Sequence, residues 1–379
     1  MAIATPLSTS GRFIVDVHGK RVRLAGVNWY GASEDLGVPA GLDRTNRNTL
    51  AELIAKQGLN CVRFPFSVWM TEQTAPVPRQ YLAANTDLYG KTPLEVYDAC
   101  VKALTGQGLI VIPNCHLLDC GWCCKDSDNN GLWFNDRFPA AKFTAAWQDI
   151  TRRYASNPLV AAMDIKNEPR PAKVGGHVLT PTWGTGGQTD FAAMYTTVGN
   201  LLHQINPRLL IICEGLNYAL DLTGVASHPV RLNEANKVVY SMHDYSWCSH
   251  PADQSQAAYN AQMYKNGGYL LAGKTAPVWI GEFGHTAGTL TPQTSGWWDY
   301  ILAWLTDDDL DWCWWALNPT HGLSSAPGTH QVVNKQGAAE PYGLLTPDWS
   351  GVEYPVAMAM LKAIIPPRTG PGIGVTPHP

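Results

Sequence analysis

With 379 residues the chain has room for two or three average domains or for one large α/β barrel, so the order of its elements must decide. Charged residues are only 15% of the total and the net charge is −4, which leaves no basic patch for nucleic acid and favours a neutral or weakly charged substrate. No apolar run approaches about 18 residues, so no helical membrane span and no membrane partner are expected.

The amino terminus, Met1-Ala2-Ile3-Ala4-Thr5-Pro6, has neither the basic start nor the apolar stretch of a secretory signal. Nine cysteines, three of them crowded into Cys120-Gly121-Trp122-Cys123-Cys124, nevertheless favour a secreted protein whose leader has been removed. At least one disulfide is expected within that cluster or from it to Cys248. Zinc is the rival, but the cluster has no second Cys/His pair at ligand spacing, so neither metal nor cofactor is expected. Cys61, Cys115, Cys213 and Cys313 fall in apolar runs and should be buried thiols.

Arg12–Lys20 followed by Val22 reads as a short hairpin that would close one end of the fold. Eight apolar, strand-like runs come after it: Val22–Trp29, Asn60–Pro65, Leu109–Asn114, Val160–Glu168, Leu209–Glu214, Val238–His243, Val278–Glu282 and Asp311–Leu317. Between them the apolar period changes to 3.6. Leu50, Leu53 and Ile54 form one stripe, Phe143, Trp147, Ile150 and Tyr154 a second, and Phe191, Met194, Tyr195, Val198, Leu202 and Ile205 a third. Gly58 and Gly108 stand where a helix C-terminal cap needs a left-handed residue. A strand and a helix alternating eight times predict a closed (β/α)8 TIM barrel over residues 1–365, with its site on the loops after the strands. An open doubly wound sheet would need a phosphate-binding glycine turn after the first strand, and Gly26-Val27-Asn28-Trp29-Tyr30-Gly31 is not one. Residues 366–379, rich in proline and glycine, read as a tail or the start of a linker.

Two strands end in the same way. Met163-Asp164-Ile165-Lys166-Asn167-Glu168-Pro169 delivers Glu168 just before a proline that stops the ladder, and Val278-Trp279-Ile280-Gly281-Glu282-Phe283-Gly284 delivers Glu282. Two carboxylates at one end of a barrel can flank one glycosidic bond, one protonating the leaving oxygen and the other attacking or activating water. Other tips add Arg63, His116, His243-Asp244-Tyr245 and Trp314-Trp315. Trp29 and Trp122 are further candidates to line a cleft, since a sugar's C–H face packs well on an indole. Glu214 also ends a strand, but the succeeding Gly215-Leu216-Asn217 lacks the pattern, so Glu214 reads as structural. The long loops 117–138 and 318–344, the second carrying His321, His330 and Tyr342, should wall a substrate groove.

These residues resemble glycoside hydrolase family 5, the retaining cellulase-like barrels, from Leu24 to about Trp349. The resemblance implies that Glu168 is the general acid/base and Glu282 the nucleophile. It further implies that Asn167 binds the sugar 2-hydroxyl, that Arg63 and Tyr245 hold Glu282 ionised, that His116 and His243 form the polar floor, and that Trp315 stacks under the sugar. Glu168 should then carry a pKa raised by the neighbouring carboxylate, and replacing Arg63 should depress turnover while the fold survives. The activity implied is a monomeric endo-β-1,4-glucanase acting on an oligosaccharide or polysaccharide. The alternatives are the same chemistry on β-mannan, an exo-acting β-glucosidase or disaccharide glycosidase, or a carbohydrate-binding protein without catalysis.

Overall fold

The computed structural model describes residues 3–125, 128–248, 255–294, 296–329 and 331–365; the expected tail and His330 lie outside them. Each apolar run contains a strand: β1 (Ala25–Asn28), β2 (Cys61–Ser67), β3 (Ile110–Leu117), β4 (Ala162–Asp164), β5 (Leu210–Glu214), β6 (Val238–Tyr245), β7 (Val278–Gly284) and β8 (Asp311–Trp314). They pair in parallel in this order and close when β8 returns to β1, Trp312 beside Ala25. Strands covered on both faces need continuous apolar runs rather than alternation, which is why they stood out in the sequence.

The outer face of each strand packs under helices. Helix Arg47–Lys56 buries Leu50 and Ile54; helix Ala140–Tyr154 buries Phe143, Trp147, Ile150 and Tyr154; helix Phe191–His203 buries Phe191, Met194, Tyr195, Val198 and Leu202. Gly58 and Gly108 end their helices at φ of 89° and 76°.

Two expectations are corrected. After β5 no full helix forms: Leu216–Ala219 makes one distorted turn, with Asn217 and Tyr218 left-handed, before the 3-10 turn Thr223–Ala226. Tyr218 N–H donates there to Pro169 O at 3.0 Å, so the segment ties down the loop that carries Glu168 instead of covering the barrel. β4 stops at Asp164, and Glu168 lies beyond the ladder at φ 43°. The expected hairpin forms, Val15 pairing with Arg21 across the Asp16–Lys20 turn, and Ser8–Ser10 also pairs with Phe13–Val15.

The inner residues divide into two layers. At the N-terminal ends of the strands, Ile110, Ile112, Leu210, Ile212 and Trp279 form a sealed apolar layer, which Leu7 and Ile14 of the hairpin complete. At the opposite ends the inward positions are polar: Asn28, Arg63, Asn114, Asp164, Glu214 and Glu282 are all buried. The chemistry is therefore confined to one mouth.

Candidate active site

Arg63 organises the mouth. It sits within β2 with no exposed surface, and all five of its N–H donors are used. Nε meets Asp164 at 2.7 Å, Nη1 meets Asn28 at 3.0 Å and Glu282 Oε1 at 2.5 Å, and Nη2 meets Asn167 Oδ1 at 2.6 Å and Glu214 Oε1 at 2.9 Å. Burial alone would disfavour the guanidinium charge, but Asp164, Glu282 and Glu214 more than offset it and hold Arg63 above its ordinary pKa.

Glu282 lies inside β7 with both oxygens engaged, Oε1 by Arg63 and Oε2 by the Tyr245 hydroxyl at 2.7 Å. Burial raises its pKa above the usual carboxylate value, with Arg63 and the Tyr245 hydrogen bond opposing the rise. Glu168 is held through its backbone instead. Its N–H donates to Glu214 Oε2 at 2.7 Å and its carbonyl accepts from Arg170 at 2.8 Å, while its carboxyl group meets His243 Nδ1 at 2.9 Å. Burial pushes Glu168 up to about 7, against Arg170, Arg63 and Lys166, which lower it. The expected cause was the neighbouring carboxylate; desolvation is the larger one. One oxygen of Glu168, one oxygen of Glu282 and a ring nitrogen of His243 all lie within 4.8 Å of one another. So close an approach of the nearest oxygens is consistent with the ~5–5.5 Å carboxyl separation of retaining glycosidases.

The expected histidines and rings fall into two groups. His243 is drawn down to about 4 by burial, so it faces both carboxyl groups as a neutral ring near pH 7. Burial also holds His116 well below its usual value, and its ring stacks on Trp315 at 5.5 Å. Trp315 is partly exposed and also stacks on Tyr30, at 5.0 Å and 5°. Trp122 stands edge-on to Tyr30 and His321, at 5.6 and 4.8 Å, so both long loops do contribute to one wall. Trp29 does not join them. One residue past the inward Asn28, it points away from the barrel axis, packs on Phe64 at 5.3 Å and donates Nε1–H to Ala40 O at 3.0 Å, with no exposed surface. Alternation along the strand decides this, and Trp29 belongs to the core.

Sequence reading missed several contributors. Asn28 and Asp164 bind Arg63, while Glu214, read as structural, joins Arg63 to the Glu168 backbone. Their one signal was a polar residue inside an apolar strand. Trp247, 62% exposed, stacks on Tyr245 at 4.3 Å and 15° and extends the aromatic surface beyond Glu282. In the loop after β3 the sulfurs of Cys123 and Cys124 come together, each 3.6 Å from Asn167 Nδ2; Cys120 and Cys248 remain thiols, as do the four buried strand cysteines.

A carboxyl group held near neutrality, set across from a carboxylate fixed at both oxygens in the mouth of a parallel barrel, defines a glycoside hydrolase of the retaining type. The chain belongs to glycosyl hydrolase family 5: the family's description, Cellulase (glycosyl hydrolase family 5), matches residues 15–321. It is 30% identical to a glycosyl hydrolase 5 family protein of Chamaecyparis obtusa, over 98% of this chain and 68% of that protein. It is 28% identical to an endoglucanase of Paenibacillus polymyxa, over 83% of this chain and 80% of the relative. The endocellulase of Pyrococcus horikoshii superposes with a TM-score of 0.78 at 24% identity, covering 96% of this chain and all of that one.

Proposed function

We propose that the chain is a secreted, monomeric endo-β-1,4-glucanase that cleaves cellulose-like chains with retention of configuration. The observation that carries this reading is the close pairing of Glu168 and Glu282 with opposite treatment of their charge. Glu282 attacks the anomeric carbon while Glu168 gives its proton to the departing oxygen; Glu168 then takes a proton from the water that releases the sugar. Asn167 meets the 2-hydroxyl, Trp315 carries the sugar ring, His116 and His243 complete the polar floor, and Trp122 walls the groove. Support for glucan comes from the endoglucanases of Paenibacillus polymyxa and Xanthomonas campestris among the relatives, the second an extracellular enzyme. The expected bridge within the cluster is proposed to join Cys123 to Cys124, whose sulfurs come together. Thiol counting under denaturing, non-reducing conditions should return seven, and nine would refute the bond.

The test of activity is a soluble cellulose derivative assayed by viscosity and by new reducing ends. A fast viscosity drop relative to reducing-end release is expected, with the β-anomer as the first product in proton NMR. Activity confined to aryl glycosides would overturn the endo reading, and an α-anomer would overturn the role of Glu282.

A further inference from the structure

The loop after β3 brings three soft-metal donors together. Cys123 and Cys124 come from the loop and His116 from the strand, and one ligand atom of each lies within 4.8 Å of the other two. Spacing along the chain hid this set, because the third donor is not in the cysteine cluster but beneath it.

The histidine is oriented from behind. Asn114 Nδ2 donates to the Asp164 carboxylate at 3.0 Å, which leaves Asn114 Oδ1 to accept from His116 Nδ1 at 2.9 Å. On that network Nδ1 carries the proton and Nε2 the lone pair, as in metal-binding histidines backed by a carbonyl. Stacking on Trp315 at an interplanar angle of 9° fixes the plane of the ring.

We propose that the reduced Cys123–Cys124 pair, together with His116, binds one thiophilic divalent cation, and that an ion there shuts the cleft. Two thiolates and an imidazole suit Zn2+ or Cd2+ and not the hard cations that prefer oxygen. A water-soluble phosphine opens the site: the S–S bond breaks, each sulfur gains an electron and a proton, and phosphorus leaves as the phosphine oxide with the oxygen of water. Metal binding then releases the two thiol protons to solvent. The block results from position. Asn167 Oδ1 is held by Arg63 at 2.6 Å, and Asn167 Nδ2, the group assigned to the sugar 2-hydroxyl, is 3.6 Å from both sulfurs. An ion between the sulfurs and the ring therefore competes with the sugar for Asn167 and for the space beside Trp315. This effect on activity rests on the glucanase reading; the metal site does not.

The probe is Cd2+, whose thiolate complexes have an ultraviolet charge-transfer band. The full chain is reduced with the phosphine, freed of it without air, and titrated. The band should saturate at one ion per chain, cellulose hydrolysis should be lost in step, and EDTA should reverse both. Unreduced chain should show neither effect, and reoxidation by a low-molecular-weight disulfide such as oxidised glutathione should restore indifference to Cd2+. Cys123→Ser and Cys124→Ser, each checked by its thermal midpoint, should lose the saturating band and, after reduction, keep whatever activity they have when Cd2+ is added. Glu168, His243 and Glu282 form the competing site. Equal inhibition of reduced and unreduced parent would place the ion on those carboxylates and overturn the proposal without reliance on any variant. A saturating band kept by both serine variants would also overturn it, and a band without loss of hydrolysis would overturn the claim that the ion shuts the cleft. A chain inactive on every glycoside that still gave the one-ion band would sink the glucanase reading and leave the metal site standing.

Discussion

Glu282 lies within β7, its carboxylate gripped at both oxygens, whereas Glu168 lies past the end of β4 on a left-handed residue, its backbone gripped and its carboxyl group bonded to one neutral histidine. The difference teaches how one cleft can fit two identical groups for different tasks. A nucleophile is served by donors on its oxygens, because each favours the charged form. An acid/base must exchange protons in every turnover, so its position is fixed where no proton moves, at the peptide N–H and C=O. Arg63 connects both arrangements, bonding Glu282 directly and Glu168 through Glu214.

The widest break in the comparison is Glu282→Ala. Loss of the nucleophile should lower kcat by on the order of 10^4–10^6-fold for every substrate, good leaving group or poor. Glu168→Gln should cost about 10^2–10^4-fold on cellulose, but an aryl glycoside with a very good leaving group should still react, and added azide should release a β-glycosyl azide detectable by NMR. If the two variants lost the same factor on both substrates, the division of roles would be wrong.

Arg63→Ala attacks the element common to both. It strands Asp164, Glu214 and Glu282 in a buried space, and removing one partner of such a network costs about 3–5 kcal/mol. The fold should survive, as expected, but thermal unfolding should show a clear drop in Tm alongside the loss of turnover, and an unchanged Tm would contradict the network. Tyr245→Phe is gentler, about 1.5–3 kcal/mol for a lost hydrogen bond to a charged group. Because that bond favours the ionised form, its loss raises the Glu282 pKa, and the acidic limb of the kcat/KM profile should move to higher pH.

The alkaline limb belongs to Glu168. In the proposed mechanism its acid form is required, burial pushes it up to about 7, and activity should fall as pH rises through that value. Removing Arg170, the largest opposing influence, should shift the limb upward and leave the acidic limb in place. A limb unmoved by Arg170→Met would mean that another group supplies the proton.

The barrel was legible because fully covered parallel strands leave uninterrupted apolar runs, and both glutamates were legible because Asn-Glu-Pro and Gly-Glu-Phe-Gly break such runs at their ends. What could not be read was set by contacts across the barrel. Nothing local tells Asp164 or Glu214 from any other strand-end acid until Arg63, far away in sequence, reaches them. Trp29 failed for the opposite reason: a tryptophan at a strand tip suits a cleft or a core equally, and only the inward or outward phase of β1 decides. The missing helix after β5 was hidden because Leu216–Ala219 has helical composition but is pulled into a clamp on the Glu168 loop.

The hairpin that seals the apolar end of the barrel has a practical consequence for anyone who handles this enzyme. Leu7 is fully buried and its carbonyl accepts from Lys237 Nζ at 2.6 Å, so residues 3–15 act as a stopper on that end of the barrel. Trimming them would wet Ile110, Ile212 and Trp279, on the side away from both glutamates. A truncated enzyme should therefore keep its KM while it shortens its working life in a hot reactor. For the same reason, fixing the chain to a support through its amino-terminal side should leave the substrate's approach unobstructed.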